Sequence, residues 1–307
     1  MKKLLICICS ILLGASVYGQ QELMVSQYMF NGLLLNPAYS GSHPYFSASL
    51  LHRSQWVDFD KSPTSQVFSI DGPVANDKIG IGFLVTNDQL GIIQQLDVSA
   101  NGSYRMQLGS GTLALGLKVG MASYSADLSE VTIWDENDPV YQFNDIKGEF
   151  VTKFGFGAYY HTDKWFAGVS VPLTAAIDDN IISDVPGADR YFTSHIYVNG
   201  GVVIEPSYTL AIKPSVLIKY VSGAPIQADI NCNVLLYRKL WLGMGYRSGD
   251  ALIGMVEFNF TPQLRAGYAY DFTLTDIGDY SNGSHEVMLA FDFGKDIDSK
   301  KKSPRYF

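Results

Sequence analysis

From about residue 95 to 108, polar and apolar side chains alternate without a break. Gln95, Asp97, Ser99, Asn101, Ser103, Arg105 and Gln107 interleave with Leu96, Val98, Ala100, Gly102, Tyr104, Met106 and Leu108. A strand sends successive residues to opposite faces, so this one carries a polar face and an apolar face over its whole length. The pattern returns at 226–236, where Gln227, Asp229, Asn231 and Asn233 alternate with Ile226, Ala228, Ile230, Cys232, Val234 and Leu236. Cys232 therefore belongs to an apolar face. It returns again near the end of the chain, where Glu286, Met288, Ala290 and Asp292 oppose Val287, Leu289, Phe291 and Phe293. About fourteen such segments follow one another with no helical interlude, starting near residues 45, 64, 78, 93, 111, 149, 164, 190, 207, 224, 240, 250, 263 and 285.

The links between these segments are of two kinds. Every second one is a tight turn, as at 108–111, 161–164, 205–208, 237–240 and 261–264, with Gly, Asp and Pro where turns favour them. The others include long stretches at 125–148, 173–189 and 273–284. An even number of long alternating strands, with short turns on one rim and long loops on the other, predicts an all-β fold. The expectation is a transmembrane antiparallel β-barrel of the outer membrane, spanning residues 45–294. A soluble sandwich would instead use shorter strands and need a second sheet to cover the apolar face. Trp56, Tyr124, Tyr159, Trp165, Tyr220 and Trp241 fall at strand ends, where interfacial girdles form.

Residues 1–19 run from two lysines through an apolar core to small residues, the pattern of a cleaved secretory signal peptide. Its removal takes Cys7 and Cys9 and leaves Cys232, which excludes an internal disulfide. Without Lys2 and Lys3 the chain has 20 basic residues against 30 acidic, a balance that argues against nucleic acid as a partner. Catalytic, cofactor and metal signatures are missing: there is no GxSxG, HExxH, CxxC pair or phosphate loop. The glycine pairs Gly80/Gly82 and Gly155/Gly157 lie inside strand patterns, and the acidic stretch 135–139 fits no calcium loop. The expectation is a non-enzymatic protein without cofactors. After the last strand, residues 295–307 form a basic tail, either a disordered end or a dock for an acidic partner.

In a closed barrel the first and last strands are neighbours. Parity puts Arg53 and Glu286 on the lumen side near the outer ends of their strands, with Asp271 on the strand beside them. The three are expected to meet at the seam where the barrel closes. Charge reversal at Arg53 should then impair assembly more than reversal at Lys118.

Residues 20–44 remain. The stretch QYMFNGLLLNPAYSG (27–41), followed by HRSQW (52–56), SPTSQVFSIDGP (62–73), YAYDF (268–272) and GSHEVMLAFDF (283–293), resembles the PorP/SprF family of type IX secretion system membrane proteins. The blocks occur in the family's order and span nearly the whole chain after the leader. The resemblance implies an outer-membrane barrel working with the type IX export and gliding machinery. Its implied partners are periplasmic ring subunits or a secreted cargo protein, delivered to and anchored at the cell surface through a C-terminal domain. It marks Gln27, Tyr28, Phe30, Asn31, Asn36, Pro37, Ala38, Tyr39 and Gly41 as family-motif residues, and adds Gln55, Trp56 and His285 to the seam and lumen.

The physical reading of 22–41 starts from its apolar side chains, which water disfavours on the periplasmic side. One expectation is that the segment folds into the periplasmic mouth as a plug, with Asn31 and Asn36 bonding backbone groups at its turns. The alternative is an exposed docking strip for a partner. At the level of function, the rivals to a secretion component are a passive channel for small hydrophobic molecules and an outer-membrane hydrolase.

Overall fold

The computed structural model describes residues 23–75, 77–126, 146–177 and 194–294. The leader at 1–19, the acidic stretch at 135–139 and the basic tail at 295–307 lie outside them. Three single-turn 3-10 helices, Tyr28–Phe30, Gly32–Leu34 and Pro37–Tyr39, precede the sheet. Strands follow as β1 (Phe46–Ser54), β2 (Thr64–Val74), β3 (Ile79–Leu90), β4 (Ile93–Leu108), β5 (Gly111–Ala126), β6 (Ile146–His161), β7 (Trp165–Ile177) and β8 (His195–Val202). The second half has β9 (Ile204–Ser207), β10 (Leu210–Val221), β11 (Gln227–Leu236), β12 (Leu240–Arg247), β13 (Ala251–Asn259), β14 (Leu264–Thr273) and β15 (Ser284–Phe293).

Antiparallel pairing runs from each strand to the next, except that β8 pairs with β10, and β1 pairs with β15 from Phe46↔Phe293 to Ser54↔His285, which closes the sheet. Fourteen strands form the ring; β9 pairs with β10 alone, continuing the line of β8 beyond Val203. A closed ring leaves no unpaired edge inside a bilayer, where no water could satisfy it. The expected strand starts agree with these bounds to within a few residues, the largest difference being His195 against the expected 190.

Residues 75–78, 109–110, 162–164, 208–209, 237–239 and 260–263 link strands on one rim, the turn rim. Gly109 there has φ +61°, the left-handed conformation that a two-residue hairpin turn requires. Residues 55–63 and 274–283 lie on the opposite, long-loop rim and are joined by hydrogen bonds from Val57 N to Gly283 O (2.8 Å) and from Asn282 N to Val57 O (2.9 Å). Both ends of the ring, Phe46 and Phe293, sit on the turn rim with their rings stacked at 5.8 Å.

The two faces separate by parity as the alternation requires. On β5, Leu115, Leu117, Val119 and Met121 face outward, and on β15 so do Val287, Leu289 and Phe291. Leu117 is 69% exposed, which suits lipid and not water. Cys232 is also exposed on this face. Among the described residues the inward face buries six cationic and seven carboxylate side chains, a near balance of charge. Three of the residues expected in girdles turn inward instead: Tyr124, Tyr159 and Trp241 are 5%, 2% and 3% exposed. Their position at a strand end is as expected, but their parity is that of the lumen. Trp165 and Tyr220 are exposed, as a girdle needs.

Candidate functional site: the lumen and the N-terminal segment

The interior is best followed along residues 25–43, because these residues touch most of the ring. At Ser26 the backbone N–H donates to Glu286 Oε2 and that of Gln27 to Glu286 Oε1, both at 2.8 Å. The Ser26 hydroxyl reaches the Asp271 carboxylate at 2.7 Å and accepts from Arg53 Nη1 at 3.1 Å. Arg53 itself bridges Asp271 at 2.7 Å and Glu286 at 3.3 Å. Arg53, Glu286 and Asp271, expected together from parity, are thus one cluster with Arg53 directly opposite Glu286 in the register.

Sequence reasoning missed four charged members of this cluster. Arg247 binds Asp271 and Asp229, each at 3.3 Å, and Lys219 binds Asp229 at 3.1 Å. Arg247 also reaches Asp250 at 3.5 Å, so three cations face four carboxylates, all but Lys219 and Asp250 less than 3% exposed. Buried charges are tolerable when they are paired and hydrogen-bonded in this way. The parity of Asp229 and Arg247 on alternating strands was a usable signal for both. Ser26 had none, since its partners are more than 200 positions away in the chain.

From this cluster the segment passes down the lumen. Tyr28 is buried, and its hydroxyl accepts from Asn231 Nδ2 at 2.6 Å. Phe30 packs edge-on against Trp241 with centroids 5.9 Å apart. Asn31 donates to the Ser49 and Ser69 hydroxyls at 2.9 and 2.8 Å. This corrects the expectation for Asn31, whose amide binds side chains of the barrel wall and not backbone at its own turn. Asn36 does cap its turn: its Oδ1 accepts from Ala38 N at 2.9 Å, and its Nδ2 donates to Ala158 O at 3.0 Å. Pro37 follows at the first helical position, where its missing N–H is no loss. Tyr39 packs on Tyr159 with centroids 5.5 Å apart and bonds His43 Nε2 at 3.0 Å. Gly41, at φ +68°, donates to Asp71 Oδ2 at 2.9 Å.

Glycines of the wall make this path possible. A Cβ on Gly80 would lie 1.9 Å from Ser40 O, and one on Gly116 would lie 2.1 Å from Ala38 N. On Gly157 it would lie 2.1 Å from Asn36 Oδ1. The in-strand glycines therefore admit close backbone approach by the segment, a use of strand glycine that alternation alone does not reveal.

The segment is not confined to the turn-rim mouth, which corrects the expectation of a periplasmic-mouth location. Arg53, Asp271, Glu286 and Arg247 lie near the long-loop ends of β1, β14, β15 and β12, whereas Asp71 and Gly80 lie near the turn ends of β2 and β3. Residues 26–41 thus extend from one end of the ring to the other. His285 needs a second correction. It lies at the seam opposite Ser54, but its side chain is on the outward face, where Nδ1 meets the Tyr268 hydroxyl at 2.7 Å. Alternation explains this, because Glu286 beside it points inward. Gln55 is buried, with its N–H bonded to Pro63 O at 2.9 Å, and half-buried Trp56 donates its N–H to Ser284 Oγ at 3.1 Å. Both lie in the β1–β2 loop beside the seam.

A cavity of about 30 Å³ lies between the segment and the wall, lined by residues including Tyr28, Asn36, Tyr159, Phe166, Lys213 and Ser215. That is space for about two waters, far below the several hundred Å³ of a typical ligand site. Further round the wall, Lys153 pairs with Asp97, and Arg265 with Asp292 at 3.9 Å.

A closed ring of fourteen strands with an apolar exterior and a charged interior defines an outer-membrane β-barrel. Among solved structures the chain is similar to the outer membrane protein Omp33 of Acinetobacter baumannii, at TM-score 0.50 and 9% identity, over 83% of this chain and 100% of that one. It is also similar to a Pseudomonas aeruginosa FadL homologue, at TM-score 0.46 and 12% identity, over 92% of this chain and 96% of the other. The family model of the type IX secretion system membrane protein PorP/SprF matches residues 17–291, and the chain belongs to that family. A comparison with curated proteins finds no match.

Proposed function

We propose that this barrel is a non-enzymatic accessory component of type IX secretion and gliding. In this reading its long-loop face binds and anchors the C-terminal domain of an exported cargo protein, and its turn rim or basic tail binds periplasmic ring subunits. The observation that carries the reading is the packing of residues 25–43 against the inward face of the ring. A lumen filled in this way acts as a plugged one, and the work of such a barrel falls to its two faces. Asp271 and Glu286, near the long-loop ends of β14 and β15, also support a structural role, since they are engaged by Arg53 and Ser26.

The test is a crosslinked pull-down of the tagged protein from its own outer membrane, comparing the full chain with one lacking residues 295–307, with partners identified by mass spectrometry. Recovery of a large secreted protein together with type IX subunits is the expected result, and loss of the periplasmic partners alone on truncation assigns the tail. Recovery of lipid alone, with rapid swelling of liposomes carrying the purified barrel in small hydrophobic solutes, overturns the reading in favour of a passive channel.

A further inference from the structure

We propose that the N-terminal segment is threaded through the whole barrel, so that Leu23 and Met24 are presented at the long-loop mouth and not in the periplasm. Three observations point to this. The first is the clamp: Ser26 and Gln27 are held by Glu286, Asp271 and Arg53, which lie near the long-loop ends of their strands. The second is the direction of travel. Contacts move from Asp271 and Glu286 at Ser26, through Ser49 and Ser69 at Asn31, to Asp71 at Gly41 beside the start of β1. Ahead of the clamp, burial falls away. Val25 and Ser26 are 6% and 0% exposed, whereas Leu23 and Met24 are only half-buried.

Length allows the crossing. Fifteen steps separate Ser26 from Gly41, and at about 2 Å per residue for 3-10 geometry they reach about 30 Å. The apolar band of an outer-membrane barrel is about 25 Å tall. The clamp also has a position that matters. Arg53 belongs to β1 and Glu286 to β15, so the carboxylate that holds the segment's start also pairs with the arginine across the closing seam. The ionic cluster thus forms fully only when the segment is inside and the ring is shut.

The experiment places single cysteines in a Cys232→Ala background and labels intact cells with a membrane-impermeant maleimide. Tyr280→Cys reports the long-loop rim and Ser110→Cys the turn rim, both positions being exposed. Leu23→Cys, with Met24→Cys as a second variant in case the first misfolds, is expected to label alongside Tyr280→Cys, while Ser110→Cys stays protected until the outer membrane is permeabilised. Labelling of both N-terminal cysteines only in company with Ser110→Cys overturns the threading. The comparison is between rims, so it remains decisive even if the proposed secretion partners prove wrong. Val25→Cys, which lies inside the clamp, is expected to label slowly and to speed up when Glu286→Gln is added; an unchanged rate overturns the clamp.

Discussion

Arg53 is 2% exposed and lies within 3.3 Å of two carboxylates that belong to different strands. Among the described residues, removing it leaves Glu286 without a cation and Asp271 with Arg247 as its one remaining cation, and breaking a buried cluster in this way costs up to about 3–5 kcal/mol. Arg53→Met is therefore expected to lower the barrel's unfolding free energy by about that amount. Urea titration of the detergent-folded protein, read by its heat-modifiable electrophoretic mobility, measures this. Adding Glu286→Gln should recover part of the loss, because it removes one of the stranded charges. Exposed Lys78, changed to Met as a control, should shift stability by no more than about 0.5 kcal/mol. The meeting of Arg53 with Glu286 was legible because closure and parity are both properties of pattern. The same logic, applied one residue away, would have put His285 outside. Ser26 was not legible, since no local pattern says that a serine ahead of the sheet meets Asp271, 245 positions later.

At the level of elements, strand number and bounds follow from period-two alternation, because a barrel wall has water-free lipid on one side and polar groups on the other. Alternation does not say what the inward face touches. Trp165 and Trp241 both stand at or next to the start of a strand, yet one is 43% exposed and the other, packed on Phe30, is 3% exposed. The wall glycines were equally ambiguous, since relief of crowding in a curved sheet and approach of a second chain segment call for the same residue. A pair of substitutions separates the two uses. Gly116→Val would place its Cβ 2.1 Å from Ala38 N, so the Pro37–Tyr39 turn must leave its seat on the wall. Single-channel recordings in planar bilayers are expected to show openings for this variant that the parent lacks. Gly102→Val has nothing within 4 Å of its new Cβ and faces outward, so it should remain as silent as the parent. Equal conductance from the two would mean that the segment does not depend on the glycine seat.

For the whole molecule, the two ends of the described chain leave the ring at different places. Gly294 follows Phe293 on the turn rim, while the backbone ahead of Ser26 lies among side chains near the long-loop ends of β1, β12, β14 and β15. An unfolded stretch of chain can be carried through a lumen as the strands assemble around it, but a folded domain about as wide as the ring cannot. A small, fast-folding domain inserted between residues 22 and 23 is therefore expected to block barrel formation, leaving β1 and β15 unpaired and the chain open to periplasmic proteases. The same domain fused after Phe307 should be tolerated. Protease resistance and heat-modifiable mobility of the two fusions measure the contrast. A destabilised version of the inserted domain, unable to fold during export, should restore assembly at the N-terminal position. That rescue would assign the block to threading and not to the length of the insert, because loop-closure entropy rises only slowly with added residues.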